Sequence, residues 1–176
     1  DTHQPRLYWW LHQRSRQTRL LDLTTDIGLP VVMAVSSGAD GRVVATGTAA
    51  RPVLADAALA AVTEMVQTEV GMDLAREAED PEVLAWIDHA STQGMQQFQP
   101  GLRAREAARL GKGSLLDRLH ALGHRALAVD LTLPADPLPS VRVMVPGLCA
   151  LQGRTDTARF ALLCPDARGL SLPEPY

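Results

Sequence analysis

One stretch, residues 54–70 (LADAALAAVTEMVQTEV), constrains the fold of this chain more than any other segment. Apolar residues recur in it at helical spacing, and neither glycine nor proline interrupts it. This pattern predicts an amphipathic helix. Val62 and Met65 lie on its apolar side, so we expect them to face the core of the protein.

A polar stripe runs along the opposite side of the predicted helix. At about 100° per residue, Asp56, Thr63 and Gln67 fall within roughly 40° of one another, with Glu64 beside them. Such a stripe is typical of a solvated helix face. It is equally the arrangement expected of a row of hard oxygen ligands that face a metal and phosphate site. The helix alone does not separate these two interpretations.

The segments before this helix predict three β-strands. Residues 20–23 and 43–48 form short strands, and residues 29–35 are a continuous apolar run of the buried type. The Asp-Gly pair within residues 38–42 is a strong hairpin signal. The helix then follows Pro52, which suits a helix entrance.

The second half of the chain predicts more helices and strands. A helix over residues 81–90 begins after the capping residue Asp80, and another over residues 114–122 ends at Gly123. Residues 126–131 and 141–145 are predicted to be buried strands. The resulting fold class is α/β (α+β), with mixed β-sheets packed against helices.

Composition excludes several classes of protein. The 176 residues are 46% hydrophobic and 21% charged, which is typical of a globular domain rather than a disordered chain. The formal net charge of -3 provides no basic field for nucleic acid. The two cysteines and the absence of a membrane-length apolar run favour a cytoplasmic protein without a disulfide framework.

Common catalytic motifs are absent from the sequence. There is no G-x-S-x-G elbow, P-loop or G-x-G-x-x-G. His120 and His124 have a spacing used in zinc sites, but Gly123 ends the helix between them, so we expect surface histidines. Asp26 lies between two strand signals, where a turn cap and a ligand are both open interpretations.

The order of three motifs resembles the YcaO family over nearly the whole chain. These motifs are DLTTDIGLPV at residues 22–31, the A-x-x-E-x-x-Q helix at residues 61–67 and VRVMVPGL at residues 141–148. The early LYWWLHQR and the terminal PEPY also look like segments of that family. The chain is thus expected to be one portion, residues 1–176, of a YcaO-like domain.

The resemblance implies an ATP-dependent cyclodehydratase that converts Cys, Ser or Thr of a ribosomal precursor peptide to azolines. Its cofactors would be ATP and Mg²⁺. By the family pattern, Asp56, Glu64 and Gln67 would hold magnesium and nucleotide. Arg142, on the VRVMVPG strand, would contact phosphate as a fixed bidentate donor. The C-terminal Pro175 and Tyr176 would lie close to the reacting groups.

The resemblance also implies partners. These are the precursor peptide and a leader-binding protein of the E1-like or ThiF-like type, with a homodimer allowed and no nucleic acid or membrane. The family's S-x-x-x-E-x-x-E-R segment is not found in the sequence, so we expect upstream residues to complete the site. Thr68 stands where the family commonly has Arg. Two alternatives stay open: a thioamide-forming YcaO enzyme and a non-catalytic YcaO-like subunit that binds partners.

Overall fold

A computed structural model describes residues 5–95, 98, 114–135, 137–148 and 157–163. The chain forms two compact units, Asp1–Gly111 and Lys112–Tyr176. The prediction that the whole chain is one portion of a single domain stays a prediction.

The first unit contains three strands and three helices in the described residues. The strands are β1 (Gln17–Asp22), β2 (Val31–Ser37) and β3 (Ala45–Ala50), and they form an antiparallel sheet in the order β1-β2-β3. The helices are α1 (Pro5–Gln13), α2 (Leu54–Glu77) and α3 (Pro81–His89). All three strands and both later helices overlap their predicted positions, and the predicted turn contains Gly41 at φ 78°.

The core of this unit lies between α2 and one face of the sheet. Val62 and Met65 are 3% and 0% exposed, which confirms the predicted inward face of the helix. They pack against small residues of the sheet, namely Val32, Ala34, Ala45 and Ala49. Because these side chains are short, the helix lies close to the strands.

The end of α2 differs from its prediction, whereas the start of α3 matches. The prediction ended α2 at Val70, but the helix continues through the exposed Gly71 to Glu77, because MDLARE contains good helix formers. Asp80 caps α3 as predicted, since its carboxylate accepts hydrogen bonds from the backbone N–H groups of Glu82 and Val83.

The second unit contains α4 (Leu115–Ala121), β4 (Leu127–Asp130), β5 (Val141–Met144) and α5 (Ala158–Leu163). Ser114 caps α4, and Gly123 follows it at φ 79°. The strands β4 and β5 pair with each other antiparallel. The prediction that they are buried is wrong, because all residues of both strands are exposed. A ribbon of two strands has no second layer of its own to cover its apolar side chains.

None of the helices that the structure describes is long and apolar enough to cross a membrane.

Candidate functional site

An open groove of about 900 Å³ lies between the end of β3 and the first half of α2. It contains the polar stripe identified in the sequence, since Asp56, Thr63, Glu64 and Gln67 all line it. The remaining lining residues come from β3, the segment after it and the same helix: Thr48, Ala49, Ala50, Arg51, Leu59 and Ala60. The stripe is therefore one wall of a concave surface, with an edge strand as the other wall.

Gly47 on β3 explains why the helix lies so close to this strand. A Cβ atom at Gly47 would overlap the backbone nitrogen of Met65 and the carbonyl oxygen of Ala61. Only glycine allows two backbones to approach this closely. The contact brings the neighbouring residue, Thr48, beside the helix.

Glu64 is fixed by this approach. The backbone N–H of Thr48 donates a 2.8 Å hydrogen bond to Oε2 of Glu64. One turn further along the helix, the hydroxyl of Thr68 donates to the carbonyl oxygen of Thr46 at 2.8 Å. The Glu64 carboxylate is thus anchored through one oxygen while its side chain remains exposed to the groove.

The helix spaces the three predicted ligands unevenly. Glu64 and Gln67 are three positions apart and are neighbours on the helix surface. Asp56 lies eight positions before Glu64, which is about 12 Å along the helix axis. Glu64 and Gln67 therefore form one end of the groove, which we call the glutamate end, and Asp56 lies towards the other.

The donor set of the groove suits magnesium. Carboxylate and amide oxygens are hard ligands, and Mg²⁺ is commonly held by one or two carboxylates together with waters and substrate phosphates. Within the described ranges, no group of three or more His, Cys, Asp or Glu residues is arranged to hold a metal ion. Glu64 and Gln67 would offer such an ion a carboxylate oxygen and an amide oxygen at the glutamate end.

The other predicted site residues, Arg142, Pro175 and Tyr176, belong to the second unit of the chain. Arg142 is on β5 in the second unit, where it pairs with Val129. Pro175 and Tyr176 lie outside the described residues. The zinc alternative at His120 and His124 gains no support in the described part of the second unit, where Nε2 of His124 lies 3.2 Å from Arg159.

The structure also shows a groove residue that the sequence reasoning did not select. Arg51 lines the groove and follows β3 directly. A signal for it was present, because Arg51 lies three positions before the first residue of the helix that carries the polar stripe.

A second charged cluster lies on another side of α2, at Glu69. Its carboxylate contacts Arg14, Arg16 and Ser36, with Arg16 Nε 3.0 Å from Oε1. Partial burial alone would raise the pKa of Glu69, but hydrogen bonds from Arg14 and Ser36 and the two arginine charges together lower it. Glu69 is therefore a neutralised anion that connects α2 to the segment between α1 and β1 and to β2.

Comparisons with known proteins agree with this architecture. The family model described as YcaO cyclodehydratase, ATP- and Mg²⁺-binding, matches residues 3–149. An uncharacterized protein in the tfuA 3′ region of Rhizobium leguminosarum bv. trifolii is 32% identical over 150 residues, which are 73% of this chain and 36% of that protein. The chain belongs to the YcaO family.

Two solved structures have the same fold. A heterocyclase in complex with substrate and cofactor aligns with a TM-score of 0.71 at 22% identity, over 86% of this chain and 22% of that chain. The heterocyclase TruD aligns with a TM-score of 0.67 at 23% identity, over 91% of this chain and 23% of that chain. These likenesses confirm the predicted fold class. The chain spans about a third of the curated relative and less than a quarter of either heterocyclase.

Proposed function

We propose that the protein containing this chain is an ATP-dependent cyclodehydratase that forms azolines in a ribosomal precursor peptide. One observation carries the proposal: in a member of the YcaO family, Asp56, Glu64 and Gln67 line a single groove. The family model describes binding of ATP and Mg²⁺, and the oxygen donors of the groove suit a magnesium ion that in turn binds phosphate.

In this reaction an amide oxygen must leave, and phosphorylation turns this very poor leaving group into a good one. A Cys thiol or a Ser or Thr hydroxyl adds to the carbonyl carbon of the preceding backbone amide, and its proton passes to a base. The amide oxygen attacks the γ-phosphorus of ATP, and the bond to ADP breaks. The phosphorylated oxygen then leaves as inorganic phosphate, and loss of the amide proton gives the C=N bond of the azoline. ATP is thus consumed as a substrate.

The residues of the groove would bind and orient the phosphates. Glu64, held by Thr48, and Gln67 would be magnesium ligands at the glutamate end, and Asp56 would act further along the groove. Magnesium, when bound, would neutralise charge on the transferring phosphoryl group. We further propose that Arg142 contacts phosphate as a bidentate donor. Pro175 and Tyr176 would lie near the reacting amide, as the family resemblance implies.

The proposed activity requires partners and belongs to the longer protein. The substrate is a precursor peptide, and an E1-like or ThiF-like protein would bind its leader; a homodimer fits the same scheme. We place the reaction in the cytoplasm, where ATP is available and where a chain with two cysteines needs no disulfide.

The decisive experiment compares Glu64→Gln with Glu77→Gln in the full-length protein. Glu77 is an exposed glutamate at the end of the same helix and is the matched control. Glu64→Gln removes a negative charge from the groove, so peptide-dependent release of phosphate should fall at least about 100-fold, while the melting temperature stays near that of the wild type. Unchanged phosphate release in Glu64→Gln would refute the assignment.

Mass spectrometry of the peptide distinguishes the alternatives. Formation of each azoline ring removes one water from the peptide, whereas formation of a thioamide replaces one oxygen by sulfur and needs a sulfur donor. If the wild-type protein binds the peptide and its partner but neither consumes ATP nor changes the mass, the non-catalytic alternative is correct.

A further inference from the structure

We infer that Arg51 is an anion-binding residue of the groove and contacts a phosphate of the nucleotide at the end away from Glu64. The identity of the anion as a nucleotide rests on the proposed function. Among its lining residues, Asp56 and Glu64 are anionic and Arg51 is the single cation.

The position of Arg51 follows from how β3 and α2 run. Thr46 is hydrogen-bonded to Thr68, and Thr48 is hydrogen-bonded to Glu64. Residues further along β3 therefore lie beside residues earlier in α2. Arg51 is three residues beyond Thr48, about 10 Å along an extended chain. It therefore lies towards the end of the groove where α2 begins. An elongated polyanion with its metal ion at the glutamate end would extend towards Arg51.

Local hydrogen bonds hold Arg51 in place. Its backbone N–H donates to the carbonyl oxygen of Pro30 at 3.0 Å, which continues the pairing of β3 beyond Ala50. Its Nη1 donates to the carbonyl oxygen of Ala50 at 2.7 Å. Because a guanidinium has five N–H donors in a rigid fork, other donors remain for a ligand.

In the part of the chain that the structure describes, Arg51 forms no ion pair, although Asp56 lines the same groove. Arg14 and Arg16 show the opposite case, since both pair with Glu69. A solvated surface arginine is the alternative explanation for Arg51. The two explanations differ in whether anion affinity depends on this residue.

The test measures binding by isothermal titration calorimetry in the full-length protein. The ligands are Mg²⁺ with ATP, inorganic tripolyphosphate and adenosine. The variants are Arg51→Gln, Arg51→Lys and the control Arg19→Gln, which alters an exposed arginine on β1. Loss of a charge-assisted contact should weaken ATP and tripolyphosphate about 10- to 100-fold in Arg51→Gln. Adenosine binding and the control should be unchanged, and Arg51→Lys should recover part of the affinity because it keeps the charge.

Each outcome separates this inference from the proposed function. If Arg51→Gln binds ATP and tripolyphosphate like the wild type, Arg51 is a solvated residue and the inference is overturned, while the result for Glu64→Gln is unaffected. If tripolyphosphate binding depends on Arg51 but the protein shows no peptide-dependent ATP consumption, the anion site stands and the proposed reaction falls. A wild-type protein that binds neither anion overturns the inference. Should Arg51→Gln fail to fold, Arg51→Met takes its place, because it also removes the charge while keeping an unbranched side chain. Weaker binding of both anions with adenosine binding unchanged then supports the inference, and wild-type affinity for both overturns it.

Discussion

Two glutamates on α2, five positions apart, lie in opposite environments. Glu64 is exposed in the groove and accepts one backbone hydrogen bond from Thr48. The Glu69 side chain is only 15% exposed and contacts two arginines and a serine. Because they are five positions apart, their side chains leave the helix axis about 140° apart. One helix can therefore place them in two different environments.

The difference shows how the same side chain serves two purposes. The Glu69 carboxylate is surrounded by cations that compensate its burial, so its charge is used within the protein. Glu64 keeps its charge uncompensated by any ion pair in the described residues. An anion fixed in position without a cation is suited to binding a metal ion from solution. The comparison therefore predicts that Glu69 affects stability and Glu64 affects activity.

The largest effect is expected from Gly47→Ala, which removes the contact that creates the glutamate end of the groove. The added methyl group would overlap backbone atoms of Met65 and Ala61, so β3 and α2 must separate. We expect a loss of about 3 kcal/mol or more in the free energy of unfolding, measured by urea denaturation. Gly71→Ala is the control, because Gly71 is on α2 and a methyl group added there would have no atom within 4 Å. This change should stabilise the protein by about 0.5–1 kcal/mol. Equal stability of the two variants would contradict the close approach.

A smaller effect is expected from Glu69→Gln. The change leaves the two arginines without their anion, and Arg14 is only 12% exposed. Loss of these charge-assisted hydrogen bonds should cost about 2–3 kcal/mol in the free energy of unfolding. Glu64→Gln, measured beside it, should unfold like the wild type. If Glu64→Gln were the less stable variant, the division of roles between the two glutamates would be reversed.

The smallest effect is the pH dependence of the stability difference between the wild type and Glu69→Gln. The pKa of Glu69 is lowered in the folded state from its ordinary value of 4.5, so the unfolded chain binds the proton more readily. The stability that Glu69 contributes is therefore complete above about pH 4.5 and is lost as the pH falls through the lower, folded pKa. Melting temperatures of the wild type and Glu69→Gln should converge over this acidic range. A gap between the two that stays constant with falling pH would show that the carboxylate charge does not contribute.

Local patterns in the sequence were sufficient to predict the start of α2, its buried face at Val62 and Met65, and the cap at Asp80. Each of these depends on residues within a few positions of one another. The stripe of Asp56, Glu64 and Gln67 belongs to the same class, and its three members line one groove. Their roles as ligands stay predictions.

Features that depend on distant residues were not predicted. Glu69 meets Arg14 and Arg16 across 55 and 53 positions, and no local pattern relates them. Burial of β4 and β5 was inferred from apolar composition, but composition does not say whether a second layer covers a strand. Arg51 was overlooked because its significance comes from the groove, which exists only after β3 and α2 pack together.

The Gly47 contact has a consequence for motion within the groove. Because backbone meets backbone there, with no side chain that can change rotamer, we expect β3 and the middle of α2 to move together. The distance between Thr48 and Glu64 should then persist until the unit unfolds as a whole. Arg51 lies beyond this contact, between the last residue of β3 and the start of α2, so we expect any adjustment of its side chain to a ligand to leave the glutamate end unchanged.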